Sequence, residues 1–332
     1  MSKNNTDEIL VSIPMLAYNH EEYIAEAIDS VLMQQVNFNY EIIIGEDCST
    51  DNTRQIVLDY QKKYPDKIKL ILHEKNVGME ANADTVFKAC KGKYIAPLEG
   101  DDYWIDPHKL QIQVDMMRQY PECHISFHPA EVRYGFERKG KVIAQHANEN
   151  KIFSLSEIIR GGGGFCPTAS TMYLKAAKEN FPKFKNKPLG DYYTQIFASQ
   201  NGGALYINRV MSVYRKGAKS SWSSSMKNLE KREKWSKEII AFFYELDEYF
   251  DNKYQKEIFE KISNHYYRMA QFYFHLGFYH NFKQCIELSY KHFPYNSPTY
   301  LLYYHFRSNP KIINYLKKIY KKIFHKGANH EN

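Results

Sequence analysis

Between residues 9 and 105 short apolar runs and amphipathic stretches alternate four times over, and few folds accommodate such a pattern. The runs "ILVSIPML", "YEIIIGED", "IKLILHE" and "KYIAPLEG" predict strands. Between them, "EEYIAEAIDSVLMQ" sets Ile24, Ala27, Ile28, Val31 and Leu32 at helical spacing, and "STDNTRQIVLDYQKKY" and "GMEANADTVFKAC" predict two more helices. Ser49 or Thr50 is available to cap the second helix, with Asp51 near its positive end. The class is therefore α/β: a mostly parallel sheet covered by helices, whose ligands sit at the carboxyl ends of the strands.

Those ends are acidic. Glu46 and Asp47 close the second strand, and Glu99, Asp101 and Asp102 surround Gly100 after the fourth. Like charges so close repel and resist desolvation. Capping and loop solubility account for either stretch alone. Together they suit a nucleotide and a divalent metal, since hard cations take carboxylate oxygens and ribose hydroxyls need acceptors. No G-x-x-x-x-G-K-[ST] occurs and no G-x-G-x-x-G follows the first strand, which disfavours phosphate-loop NTPases and dinucleotide-dependent dehydrogenases.

After residue 105, "HKLQIQVDMMRQY" reads as a helix, "CHISFHPAEVRYG" and "GKVIAQHA" as strands, and "GGGGFCPTAST" as a loop or tight turn. From about residue 226 helix formers rich in Tyr, Phe and Lys replace the strands, including two helices joined at Gly277 that faintly resemble one tetratricopeptide pair. The chain carries +7, but residues 311–332 alone hold six lysines against one glutamate, so the basicity is a property of the tail rather than of a nucleic-acid surface. The tail sets Ile312, Ile313, Leu316, Ile319, Tyr320, Ile323 and Phe324 on one helical face with lysines opposite. That pattern suits a helix docked on its own protein or one resting on anionic lipid. Five scattered cysteines, with no C-x-x-C, fit a reducing cytoplasm and no zinc site. The N-terminus lacks an apolar core of signal-peptide length. His20, His73, His108, His124 and His128 form no metal-ligand spacing and read as ordinary core or surface residues.

"VSIPMLAYNHEEYIAEAIDSVLMQ", "EIIIGEDCSTDNT", "NVGMEANADTVFKACKGKYIAPLEGDDYW" and "LGDYY" resemble the successive motifs of family 2 glycosyltransferases of GT-A fold, over roughly residues 9–225. The resemblance implies an inverting enzyme that moves a sugar from a nucleotide-diphosphate donor, a UDP-sugar being expected, with Mn2+ or Mg2+. It implies that Tyr18, Glu46 and Asp47 line the nucleoside pocket and that Asn76, Gly78 and Asn82 shape its wall. The family's D-x-D reads here Glu99-Gly100-Asp101, with Asp101 as metal ligand, Asp102 as runner-up and Glu99 and Gly100 at the donor. Its "ED" motif reads Gly190-Asp191, which makes Asp191 the general base; helix capping is the plainer role. "VYRKGAKSSWSS" resembles the loop over the diphosphate, with Arg215, Lys216 and Lys219 near the phosphates and Trp222 as lid, although a solvated basic loop would look the same.

The expected organisation is a catalytic domain over 1–225 and a helical region over 226–332. The acceptor expected is a glycan or lipid-linked glycan of a surface polysaccharide. The enzyme is expected in the cytoplasm, peripheral on the inner membrane face through residues 311–326. Nucleotidyltransfer and a non-catalytic glycan-binding relative, the latter prompted by Glu99 and Gly190, are the alternatives.

Overall fold

The computed structural model describes residues 8–135, 138–186, 190–217, 226, 228–295 and 297–316. The chain divides into two units, residues 1–183 with 188–227, and residues 184–187 with 228–332.

The first unit is built on β1 (Ile9–Ala17), β2 (Asn39–Glu46), β3 (Ile68–Leu72), β4 (Tyr94–Ile95) and β5 (Leu98–Glu99), with α1 (Ile24–Leu32), α2 (Thr53–Lys63) and α3 (Met79–Ala89) between them. Val11, Ile13 and Met15 of β1 and Ile24, Ala27, Ile28 and Val31 of α1 are fully buried, so the apolar periodicity is the packing pattern. The expected fourth strand is interrupted: Pro97 lacks an amide hydrogen, and the chain pairs with β1 on either side of it, through Tyr94 and Ile95 and then Leu98 and Glu99.

The main sheet runs β10-β12-β7-β11-β4-β1-β2-β3, adding β7 (Ile125–Phe127), β10 (Lys151–Phe153), β11 (Met172–Leu174) and β12 (Ala204–Tyr206). Its β4-β1-β2-β3 half is parallel, as the alternation requires. Strand β11 enters antiparallel between β4 and β7. A second sheet, β6-β13-β8-β9, gathers β6 (Tyr103–Trp104), β8 (Ala130–Tyr134), β9 (Arg138–Ile143) and β13 (Ser212–Lys216) from distant parts of the sequence.

The cap of α2 differs from expectation. The helix starts at Thr53 without a side-chain cap bond from Asn52. Ser49 Oγ accepts the Asn19 amide at 3.0 Å, and the Thr50 amide donates to Asn19 Oδ1 at 2.8 Å. These two side chains thus join the β1–α1 loop to the β2–α2 loop. The glycine run begins inside α5 (Leu155–Gly161), which Ser154 and Glu157 start with a capping box, and Gly162 turns the chain out of it at φ 76°.

The second unit contains α8 (Leu229–Tyr249), α9 (Gln255–Leu276), α10 (Tyr279–His292) and α11 (Pro298–His305). Gly277 adopts φ 79° and ends α9 in the left-handed conformation that glycine tolerates best. Phe274, Phe282, Tyr303 and Ile313 belong to one buried cluster, in which the Phe274 and Phe282 rings meet edge to face 5.1 Å apart. Ile313 comes from the helical residues 310–316 and is fully buried, so this part of the tail docks on its own unit. Ile319, Tyr320, Ile323 and Phe324 lie outside the described residues. Among the described residues no helix is long and apolar enough to cross a membrane.

Candidate active site

Strand register brings the two acidic stretches together. β1 lies between β2 and β5, with Ala17 beside Glu46 and Leu16 beside Glu99, so both acidic ends open at the carboxyl edge of one strand.

On the β2 side the carboxylates are internally engaged. Glu46 is fully buried, accepts the Ser49 amide at 2.6 Å and pairs with Arg54, whose Nη2 donates to the His73 carbonyl at 2.5 Å. Asp47, also buried, accepts the Val77 amide at 2.7 Å and the Gly78 amide at 2.9 Å, while Asn76 Nδ2 donates to its carbonyl at 3.2 Å. Gly78 makes this turn at φ 86°. Asn82 is buried, its Nδ2 donating to the Gly45 carbonyl at 2.8 Å and its Oδ1 lying 3.1 Å from His73 Nε2. Glu46 and Asp47 therefore hold residues 73–78 in place through Arg54 and the Val77 and Gly78 amides. Tyr18, at the end of β1, is exposed.

On the β5 side, the Gly100 amide donates to the Leu16 carbonyl at 3.1 Å. A Cβ at position 100 would fall 2.6 Å from His20 Nδ1, so only glycine fits without displacement. Desolvation pushes the Glu99 carboxyl well above the ordinary range, and the charges of Asp191, Asp102 and Asp101 add to it. Asp102, 2% exposed, is likewise pushed well up by desolvation and then by Asp101, against the pull of Arg215. Trp104 Nε1 donates to the Ala169 carbonyl at 2.9 Å and so ties this acidic loop to the 168–170 turn.

Asp191 stands in the first turn of α7 (Gly190–Ala198), open to solvent. Thr168 Oγ1 donates to its Oδ2 at 2.5 Å. Desolvation by the protein around it raises its carboxyl, while Thr168 and the Lys178 charge pull it back. α7 is held to the glycine loop by Gln195 Nε2, which donates to the Gly163 and Cys166 carbonyls at 3.1 and 3.0 Å.

Arg215 occupies a different place from a phosphate ligand. Its side chain is 2% exposed. The amide donates to Asp102 Oδ1 at 2.7 Å, Nε to the Asp101 carbonyl at 2.9 Å and Nη2 to Glu26 Oε2 at 2.6 Å, and the guanidinium lies over the Tyr23 and Tyr103 rings. These contacts direct it to the acidic loop itself. Lys216 is exposed, near the Tyr134 ring. Lys219 and Trp222 lie outside the described residues.

Three residues of this site escape motif reading. Thr168 and Glu26 sit in no recognisable spacing, and His20, read as ordinary, has Nδ1 buried without a hydrogen-bond partner among the described residues.

Comparison with known proteins follows the same lines. The sequence model of the family described as Glycosyl transferase family 2 matches residues 12–181. An uncharacterized protein of Mycobacterium tuberculosis is 34% identical over 215 residues, 65% of this chain and 61% of that protein. The match thus spans less than two thirds of that relative. A protein of Escherichia coli named UDP-Glc:alpha-D-GlcNAc-diphosphoundecaprenol beta-1,3-glucosyltransferase WfgD is 31% identical over 228 residues, 68% of this chain and 85% of that one. Residues 1–349 of S. aureus TarS, solved with UDP-GlcNAc, match with a TM-score of 0.66 at 18% identity, covering 97% of this chain and 93% of that one. The mannosyltransferase PcManGT of Pyrobaculum calidifontis, solved with GDP-Man and Mn2+, matches at 0.53 and 14% identity, covering 96% and 89%. These likenesses bear out the expected GT-A fold with its helical C-terminal region.

Proposed function

The chain belongs to glycosyl transferase family 2, and from that premise we propose that it transfers a sugar, with inversion, from a UDP-sugar to a lipid-linked glycan of a surface polysaccharide. The observation that carries this reading is that the loop of Glu99, Asp101 and Asp102 and the carboxylate of Asp191 are both tied to the 168–170 turn, the first through Trp104 and Ala169 and the second through Thr168. UDP-GlcNAc in TarS and the donor and acceptor in the name of WfgD support the substrate classes. A nucleotidyltransferase is disfavoured by the same family membership.

In this mechanism the acceptor hydroxyl attacks the anomeric carbon as the bond to the diphosphate breaks, and Asp191 takes the hydroxyl proton. Thr168 holds the carboxylate in one orientation and favours its charged form. Glu46 and Asp47 act by fixing the donor wall, with Tyr18, Asn76 and Gly78 at its surface. Lys216, exposed near the Tyr134 ring, would meet the leaving phosphates, and Arg215 positions Asp101 and Asp102.

The carboxylates fit a divalent cation, because desolvation and mutual repulsion disfavour the charged forms of Glu99 and Asp102, and a cation held among them would stabilise those forms. Among the described residues no three His, Cys, Asp or Glu side chains form a ligand group by themselves, so Asp101, or Asp102, would share the ion with oxygens of the donor. Mn2+ or Mg2+ there would screen the charge that builds on the diphosphate.

The test is a screen of UDP-Glc, UDP-GlcNAc, UDP-Gal and GDP-Man for diphosphate release and sugar transfer with Mn2+ present. One donor should turn over, and Asp191→Asn should lose about 100- to 10,000-fold in rate with donor binding retained. Near-normal turnover of Asp191→Asn would reject it as the base, and donor binding without turnover by the unaltered chain would favour the glycan-binding alternative.

A further inference from the structure

The turn between α9 and α10 exposes apolar side chains that a soluble helical hairpin usually hides. Leu276, Phe278 and Tyr279 are 47%, 48% and 40% exposed within four positions, around the left-handed Gly277. The Tyr279 ring lies 5.9 Å from that of the buried Phe274, and the Phe278 ring 6.4 Å from that of Tyr273. The tip is thus seated on the core of its unit and fixed in shape.

Cations flank it. The start of α8 reaches this end of the unit, because Leu229 packs on the cluster containing Phe274 and the Arg232 guanidinium stands 4.1 Å over the Phe272 ring. Lys231 and Lys234 are exposed in the same turns, and Lys283 is exposed one turn into α10. The nearby carboxylates are Glu230 and Glu233, and Glu233 accepts the Tyr273 hydroxyl at 2.5 Å. The chain also leaves this cluster through Ile313 into the sequence "NYLKKIYKKIFHK".

We propose that this tip is a membrane-docking surface, with Leu276, Phe278 and Tyr279 entering the headgroup region of an anionic bilayer while Lys231, Arg232, Lys234 and Lys283 meet lipid phosphates. Aromatic and leucine side chains beside amines match the chemistry of that boundary, where apolar groups reach the acyl chains and cations reach the phosphates. The inference goes beyond the transfer reaction, and vesicle binding reads it without any turnover, so either reading can fail alone.

The experiment sediments the full-length chain with vesicles of phosphatidylglycerol and phosphatidylcholine, and of phosphatidylcholine alone. The unaltered chain should bind the anionic vesicles, and Leu276→Ser/Phe278→Ser should bind them about tenfold or more weakly with its melting temperature kept. Lys231→Gln/Lys234→Gln should lose preference for the anionic vesicles. Should the double apolar variant melt early, Leu276→Ser alone must still weaken binding. Unchanged binding by the apolar variants, no binding by the unaltered chain, or loss only of a concentration-dependent dimer would each overturn the proposal.

Discussion

At the scale of single residues the site turns on how one carboxylate is kept charged. Desolvation raises Asp191, and the Thr168 hydroxyl opposes it. Thr168→Ala removes a hydrogen bond to the charged form, so the Asp191 carboxyl should rise further. With Asp191 as the proposed base, transfer fails as pH falls through that value, so the acidic limb of kcat/KM should move to higher pH, by about one unit. Thr168→Ser should restore it. A lowered melting temperature with the limb unmoved would leave Thr168 a structural role only. Asp191 stands out as a candidate in "LGDYY", whereas Thr168 becomes one only when the 168–170 turn is brought against α7. Arg215 shows the converse: its charge is plain in the sequence, but its burial against Glu26 and Asp102 follows from a second sheet that no local pattern announces.

Among the elements, the contact between β2 and α3 supports the wall of the donor pocket proposed above. A Cβ at Gly45 would lie 2.1 Å from Asn82 Oδ1 and 2.4 Å from Val86 Cγ2, so α3 packs as closely as a glycine permits. Gly45→Ala should push the helix away at a cost of about 1–3 kcal/mol and raise the KM for the donor while leaving kcat nearer normal. Denaturant unfolding beside donor kinetics checks it, and an unchanged KM would detach α3 from donor binding. The strongly periodic β1 to α3 stretch was legible because each strand pairs with a neighbour close in sequence. The two-residue strands β4 and β5 were not separable in advance, nor was the antiparallel entry of β11, since strands so short carry no period and take their partners from tertiary packing.

For the whole molecule, the first turn of the basic tail segment already belongs to the helical core. Ile313 is fully buried in the helical unit, so a chain ended at residue 310 should be less stable than one ended at 316 by about 1.5–3 kcal/mol. Urea unfolding of the two compares them, and equal midpoints would deny Ile313 its part in the core. Helical periodicity disclosed this face but could not say whether protein or lipid covers it, because both present the same apolar demand. The acidic loop adds a consequence in time. Asp102 waits for the amide of Arg215, 113 positions later in the chain. A ribosome needs about 6–23 seconds to cover that distance. Throughout that interval the nascent chain holds Glu99, Asp101 and Asp102 without the strand that anchors them, so the site is among the last parts of its domain to mature, and any fragment released before residue 215 carries the acidic motif without its support.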